Sequence, residues 1–207
     1  MTHKDDSAEA LVEMLERKAP ETLDLLTAES EQDFEKAFEA LLNKAVTHLE
    51  ANSKNFRSLD ETGITAVVAG VLSMPGLTIT QETNSNGHVD LKIDMDHCSP
   101  PRIKLGEAKI YNGYEYHVGG LGQLLGRYST GREGRGLLLV YVKKKDIAAL
   151  MDRLRKDMDT RLPLQQQGET VDHGLKWSFV SAHKHSSGEN LEVGHIAFNL
   201  YFEQPSV

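Results

Sequence analysis

Cysteine is nearly absent from this chain of 207 residues: the single Cys98 cannot close an intrachain disulfide, and with His97 and Pro100 beside it the local pattern reads as a loop, not as part of a zinc ligand set. Long apolar runs are missing too. No stretch approaches the roughly 18 consecutive apolar residues that a membrane-spanning helix needs. The first residues, Met1-Thr-His-Lys-Asp-Asp6, lead straight into a helical pattern with no apolar signal core, and the expectation is a cytoplasmic protein. A hydrophobic content of 39% and a charged content of 26% are ordinary for a globular chain of this length, enough for one domain with an appendage. No internal repeat is present.

Positive charge is scarce overall, with a net charge of −8, but it is unevenly placed. Residues 1–60 carry 14 acidic and 7 basic side chains, whereas Arg102 to Lys156 carries 12 basic and 5 acidic. The second stretch includes Arg127, Arg132, Arg135 and the run Lys143-Lys144-Lys145. A charge run by itself describes a solvated face; its position directly after a pair of carboxylates is what gives this one interest.

Apolar residues at helical spacing, Ala10, Leu11, Met14 and Leu15 and then Phe34, Phe38, Leu41, Leu42, Val46 and Leu49, predict two amphipathic helices, with Pro20 ending the first and Ser30 three residues before Asp33 capping the second. This acidic region, residues 1–57, could dimerise, dock a partner protein, or join the core. A third helix should begin at Ser58-Leu-Asp60 and stop at Pro75-Gly76, with Glu61 in its first turn near the positive end of the helix dipole. The run Gly136-Leu-Leu-Leu-Val-Tyr-Val142 predicts a central strand covered on both faces. Asp146 should cap the helix after it, and Trp177 to Val180 and Leu191 to Phe202 should form two more strands. His183, His185 and His195 lie around that last hairpin, and their residue type reads as surface polarity more readily than as a metal site.

Everything else is arranged around residues 86–109. Leu77 to Glu82, His88 to Met95 and Arg102 to Ile110 alternate as half-buried strands should, and a turn over His97 to Pro101 makes the last two an antiparallel hairpin. Centred between Cys98 and Ser99, that turn sets Asp90 opposite Glu107, which follows it by seventeen residues, with their Cβ atoms about 5 Å apart. Paired carboxylates at a strand edge can hold a hard divalent cation through oxygen, and Lys109 stands beside them to orient a bound water. The same register puts Ile103 and Leu105 on the polar face of the neighbouring strand, a conflict that a period of two cannot relieve without a bulge, for which Gly106 is the candidate. A helix is then predicted over Val118 to Tyr128, with Gln123 and Arg127 four apart and glycines 119, 122 and 126 between its apolar positions. Close approach to another backbone or to a phosphate would justify those glycines.

Gly87-x-x-Asp90, Glu107-x-Lys109, a preceding helix bearing Glu61 and a following helix bearing Gln123 resemble, over residues 58–145, the PD-(D/E)XK superfamily of restriction-endonuclease-like nucleases. The resemblance implies an α/β fold with a central mixed sheet flanked by helices over residues 58–207. It implies Asp90 and Glu107 as ligands of Mg²⁺, with Mn²⁺ as a substitute, Lys109 as the catalytic lysine, Glu61 as the supporting helical carboxylate, and Gln123 as the glutamine of the helix after the lysine. DNA would be the substrate, in restriction, defence or repair, with a homodimer supplying two sites. Arg127, Arg132, Arg135, Lys143 and Lys144 would hold the phosphate backbone. Val89 stands where the motif's name has proline, and Gln123 to Tyr128 is one residue longer than the Q-x-x-x-Y spacing of some branches. Two other readings stand beside this one. Gly120-x-Gly122-x-x-x-Gly126 could be a nucleotide-binding glycine loop. Alternatively, the fold could be an inactive nuclease-like binding module that acts through its acidic helices.

Overall fold

The computed structural model describes residues 7–84, 88–95, 101–127 and 134–203, and the backbone alone at 82–84, 88 and 89. Gly87, the turn at 96–100, Tyr128 and Arg132 therefore lie outside the described residues. The chain begins with α1 (Ala8–Lys18), α2 (Pro20–Thr27), α3 (Glu31–Ala51) and the short α4 (Ser53–Phe56), followed by α5 (Glu61–Leu72). Three strands follow, β1 (Thr78–Asn84), β2 (His88–Met95) and β3 (Arg102–Ile110), then α6 (Tyr114–Leu125), β4 (Gly136–Val142) and α7 (Ile147–Arg161). A 3₁₀ turn (Pro163–Gln165) leads to β5 (Val171–Asp172), β6 (Phe179–Lys184) and β7 (Asn190–Asn199).

The helix starts are set by short polar side chains. Ser30 Oγ accepts the Asp33 N–H at 3.1 Å, Asp60 Oδ1 that of Gly63 at 2.8 Å, and Asp146 Oδ1 that of Ala149 at 3.2 Å. Pro20 occupies the first turn of α2, where its missing N–H costs nothing. α6 begins at Tyr114, four residues ahead of the predicted start, because the Gly113 carbonyl already accepts the His117 N–H and the first turn needs no apolar residue.

The strands form one seven-stranded mixed sheet in the order β1-β2-β3-β4-β7-β6-β5, with β3, β4 and β7 parallel and the other neighbours antiparallel. Both faces are covered. Leu137, Leu139 and Tyr141 of β4 join the core under α3 and α5, and Leu138, Val140 and Val142 join the one under α6 and α7. This is the two-sided burial predicted for that strand. α3 is part of the first core through Phe34, Phe38, Leu41, Leu42 and Leu49, whereas α1 buries no residue and α2 only Leu25. Among the described residues no helix is long and apolar enough to cross a membrane.

The hairpin register is the predicted one, and the predicted bulge is absent. Pairs run one for one from Met95↔Arg102 to Leu91↔Gly106, and β3 pairs with β4 without interruption from Gly106↔Leu137 to Ile110↔Tyr141. The conflict that called for a bulge assumed one apolar face. With two cores, Leu91, Ile93 and Met95 face α3 and α5, while Ile103 and Leu105 belong to the second core on the same face as Glu107 and Lys109. The residue that bears the cost is Lys104, which the register turns into the first core.

Lys104 is 1% exposed. Its Nζ pairs with Glu35 of α3, donates to the Arg135 carbonyl at 3.0 Å, and lies over the rings of Phe34 (5.5 Å) and Phe38 (5.3 Å). An ammonium so buried tolerates the loss of its partner badly. Glu35→Ala should therefore cost about 3 kcal/mol of unfolding free energy in urea, and adding Lys104→Met should recover most of it; a single variant as stable as the parent would show that the pair carries no such burden.

Candidate active site

Past Gly106 the β2–β3 ladder stops, and a side chain takes over from the backbone. Asp90 Oδ2 accepts the Ala108 N–H at 2.9 Å, so the carboxylate sits in the opening between the two strands. Glu107 follows Gly106 on β3, and Lys109 lies two residues further on the same side of the strand. Lys109 Nζ is 2.8 Å from Glu107 Oε1 and 3.3 Å from Glu61 Oε1. Glu61, in the first turn of α5, also accepts the Ile110 N–H through Oε2 at 2.8 Å, which fixes the helix start to the end of β3. A cavity of about 20 Å³, lined by Glu61, Thr62, Thr65, Gln81 and Asp90, is room for about one water. Thr65 Oγ1 meets the Tyr141 hydroxyl at 3.1 Å beneath α5.

Glu107 and Glu61 thus pair with one ammonium, and the charge of Asp90 also bears on it. The sequence led us to expect Asp90, Glu107 and Lys109 together, with Glu61 supporting a metal site. Glu107 is 3% exposed, and its Oε2 has no hydrogen-bond partner among the described residues. Burial pushes the Glu107 carboxyl above its ordinary range and Asp90 adds to that, while Lys109 and Arg127 pull the other way. Burial alone would lower the Lys109 pKa; its hydrogen bond to Glu107 and the charges of Glu107, Glu61 and Asp90 outweigh this and raise it.

The buried, unpartnered Glu107 oxygen is the observation against which a metal ion can be tested. A carboxylate oxygen with no donor is costly unless a cation meets it. Glu107 Oε2 and the Asp90 oxygen not bonded to Ala108 are hard donors of the kind Mg²⁺ uses. Among the described residues no group of three His, Cys, Asp or Glu is placed to hold a metal ion. Mg²⁺ is commonly held by one or two carboxylates with water and substrate phosphate completing its shell, so the pair is compatible with it.

The other expected residues divide. Arg127, after the end of α6, is close enough to lower the Glu107 pKa. Gln123 is exposed on α6, and no described hydrogen bond joins it to Glu107 or Lys109. Arg135 is held at the start of β4 by Glu39 (3.3 Å) and Glu192 (2.8 Å). Lys143 Nζ donates to the carbonyls of Arg57 (3.1 Å) and Leu59 (2.5 Å), and Lys144 Nζ donates to Asn112 Oδ1 (3.1 Å).

Two features were missed. Gly120 lies in α6, not in a phosphate loop, and a Cβ there would meet Lys109 Cγ at 2.7 Å, so the lysine stem is bedded on the helix backbone. The second is a correction: His195 and His183 are buried, at 0% and 1% exposure, and with His117 they form a hydrogen-bonded chain in the second core. His195 shares the inward face of β7 with Leu191, Val193 and Ala197, and His117 lies one turn before Leu121 on the buried stripe of α6. Counting histidine as an inward residue in those two periods would have found it.

Comparison with protein-family models, curated proteins and solved structures gives no match. The chemistry therefore rests on the geometry above.

Two outcomes follow from the helix and the histidines. Gly119→Ala, where a Cβ meets nothing within 4 Å, should raise stability by up to about 1 kcal/mol through helix propensity, while Gly120→Ala should forfeit that gain against Lys109; equal melting temperatures for the two would contradict the bedding. Burial lowers the His117 pKa to about 3 and holds those of His183 and His195 below the ordinary value of 6.5. Above its own lowered pKa each stays neutral in the fold but takes a proton on unfolding below pH 6.5, so stability is full above that pH and is lost as pH falls towards the folded-state pKa, by up to about 1.4 kcal/mol per pH unit for each group. Melting curves from pH 8 to 5 check this, and a midpoint flat down to pH 5 would refute it.

Proposed function

We propose that this protein is a metal-dependent nuclease of the PD-(D/E)XK type that hydrolyses phosphodiester bonds in DNA. The observation that carries the proposal is the Lys109 ammonium set between Glu107 and Glu61, with the Asp90 carboxylate in the strand opening and one buried Glu107 oxygen without a partner among the described residues. The order of elements supports it: a helix bearing Glu61, three antiparallel strands, a helix, then a parallel strand, around a mixed sheet.

Asp90 and Glu107 are the residues that would hold Mg²⁺ or Mn²⁺. A bound ion of this kind lowers the pKa of a coordinated water and offsets the charge of the scissile phosphate. Lys109 has three N–H groups; two are directed to Glu107 and Glu61, and the third is available to a water or a phosphate oxygen. Glu61 keeps the lysine from folding back wholly onto Glu107. Water gives up a proton as its oxygen adds to phosphorus, one ester P–O bond breaks, and the departing oxygen takes up a proton and leaves as a hydroxyl, so one water is consumed for each bond cut. Arg127, beside Glu107, supplies positive charge to the strand being cut.

The second reading, an inactive module acting through its acidic helices, draws on the exposed Leu11, Val12 and Met14 of α1. One assay separates the two. Plasmid and linear DNA incubated with Mg²⁺ or Mn²⁺ should be cut, EDTA should stop cleavage, and Glu107→Ala and Lys109→Ala should each lower it at least about a hundredfold. Cleavage that ignores metal, or survives both substitutions, would overturn the site.

A further inference from the structure

In the second core four polar side chains form an unbroken line from α6 to the 3₁₀ turn. His117 Nε2 is 2.8 Å from His195 Nδ1, His195 Nε2 is 2.7 Å from Ser181 Oγ, Ser181 Oγ is 2.8 Å from His183 Nε2, and His183 Nδ1 is 3.1 Å from the Leu164 carbonyl oxygen. A carbonyl only accepts, so His183 Nδ1 carries the proton. A neutral imidazole has one N–H, so His183 Nε2 must accept from the Ser181 hydroxyl. That hydroxyl has no second proton, and its oxygen accepts from His195 Nε2–H. His195 Nδ1 then accepts from His117 Nε2–H, which leaves His117 Nδ1 as a bare lone pair. That atom is buried and without a partner among the described residues, so no acceptor there calls for an Nδ1 proton.

The line closes a ring. Leu164, whose carbonyl ends it, lies with its side chain over Gly122 of α6, where a Cβ would be 3.6 Å away. Leu162, Leu164 and Gln165 have positive φ (44°, 53° and 58°), so this turn is held in a conformation that non-glycine residues rarely adopt. Phe179 stacks on His195 at 4.3 Å between ring centroids. Through this ring α6 is tied to β7, β6 and the turn, and one helical turn after His117, Gly120 beds Lys109.

We propose that His117, His195, Ser181 and His183 act as a clamp with one fixed set of tautomers that positions α6, and through Gly120 positions Lys109, so that a proton taken up within the clamp disengages the site. These are positioning residues, and their consequence for cleavage rests on the nuclease reading of Lys109. Among the described residues, the titratable groups that bear on the clamp are its own three histidines and His173, which pairs with Glu39 at 3.3 Å. The Leu164 and Pro163 carbonyls face His183 from the turn and favour its protonated form, against the stronger effect of burial.

The direct test is imidazole ¹⁵N NMR of the full chain at pH 7.5. His117 and His195 should carry their proton on Nε2 and His183 on Nδ1; His183 protonated on Nε2, or any of the three charged, overturns the clamp. Ser181→Ala cuts the line with little change in volume. Amide exchange of Gly120, Leu121 and Leu124 should become at least roughly tenfold faster, since the change leaves two buried groups, His183 Nε2 and His195 Nε2–H, unsatisfied. The Lys109 ¹⁵Nζ resonance should move, and kcat for DNA cleavage should fall by up to about a hundredfold with KM little changed. A folded Ser181→Ala protein with unchanged α6 exchange and an unchanged Lys109 resonance overturns the proposal. Should that variant not fold, acid titration of the parent decides: the Gly120 amide shift must move at the pH where His183 gains its proton, and independent movement overturns the clamp. A parent that never cuts DNA defeats the nuclease reading and leaves the tautomer and exchange results to stand or fall separately.

Discussion

Where β2 and β3 part company after Gly106, the Ala108 amide would lack a strand partner on that side, and the Asp90 carboxylate supplies one at 2.9 Å. A carboxylate used as a backbone acceptor is pinned, so Asp90 stays in the opening, held through Oδ2. The rest of the site depends on that opening. It gives Lys109 a path from the α6 face of the sheet to Glu61 at the start of α5, where Glu107 and Glu61 pair with it and the charge of Asp90 adds to theirs in a region where burial makes each charge consequential.

The two layers of helices hold that opening from opposite sides. α5 fixes the end of β3 by the bond from Ile110 N–H to Glu61, and α6 fixes the stem of Lys109 by presenting a glycine against it. Glycine is a poor helix former, so its presence at 120 has a steric reason. Gly119, whose missing Cβ would meet nothing, has no such reason in the structure. The first core is fastened by Lys104 and Glu35, the second by the histidine chain. In both, a polar group inside an apolar layer is tolerated because its partners are in place.

Much of this was legible in the sequence. The turn between β2 and β3 fixed the pairing of Leu91 with Gly106, and hence the approach of Asp90 to Glu107, because strand register follows from where a hairpin turns. Helix caps at Ser30, Asp60 and Asp146 were readable because a short side chain acts on its own next turn. Less legible was anything that depends on what lies across the sheet. The bulge at Gly106 was expected only because a single apolar face was assumed, and the cover of α3 over Lys104 was not visible in β3 itself. The histidines were misread for the same reason: residue type suggested surface, while their period in β6 and β7 placed them inward. Gln123 is exposed on α6 with no described hydrogen bond to Glu107 or Lys109, so its place in the motif draws no support from a contact.

The proposed nuclease requires that Asp90 and Glu107 share a metal ion. Paramagnetic broadening by substoichiometric Mn²⁺ tests this without any substrate. Amide signals of Asp90, Glu107 and Ala108 should broaden first, the effect should be reversed by excess Mg²⁺, and it should vanish in Glu107→Gln. Broadening centred on the acidic residues of α1 to α3, or unchanged in that variant, would contradict it.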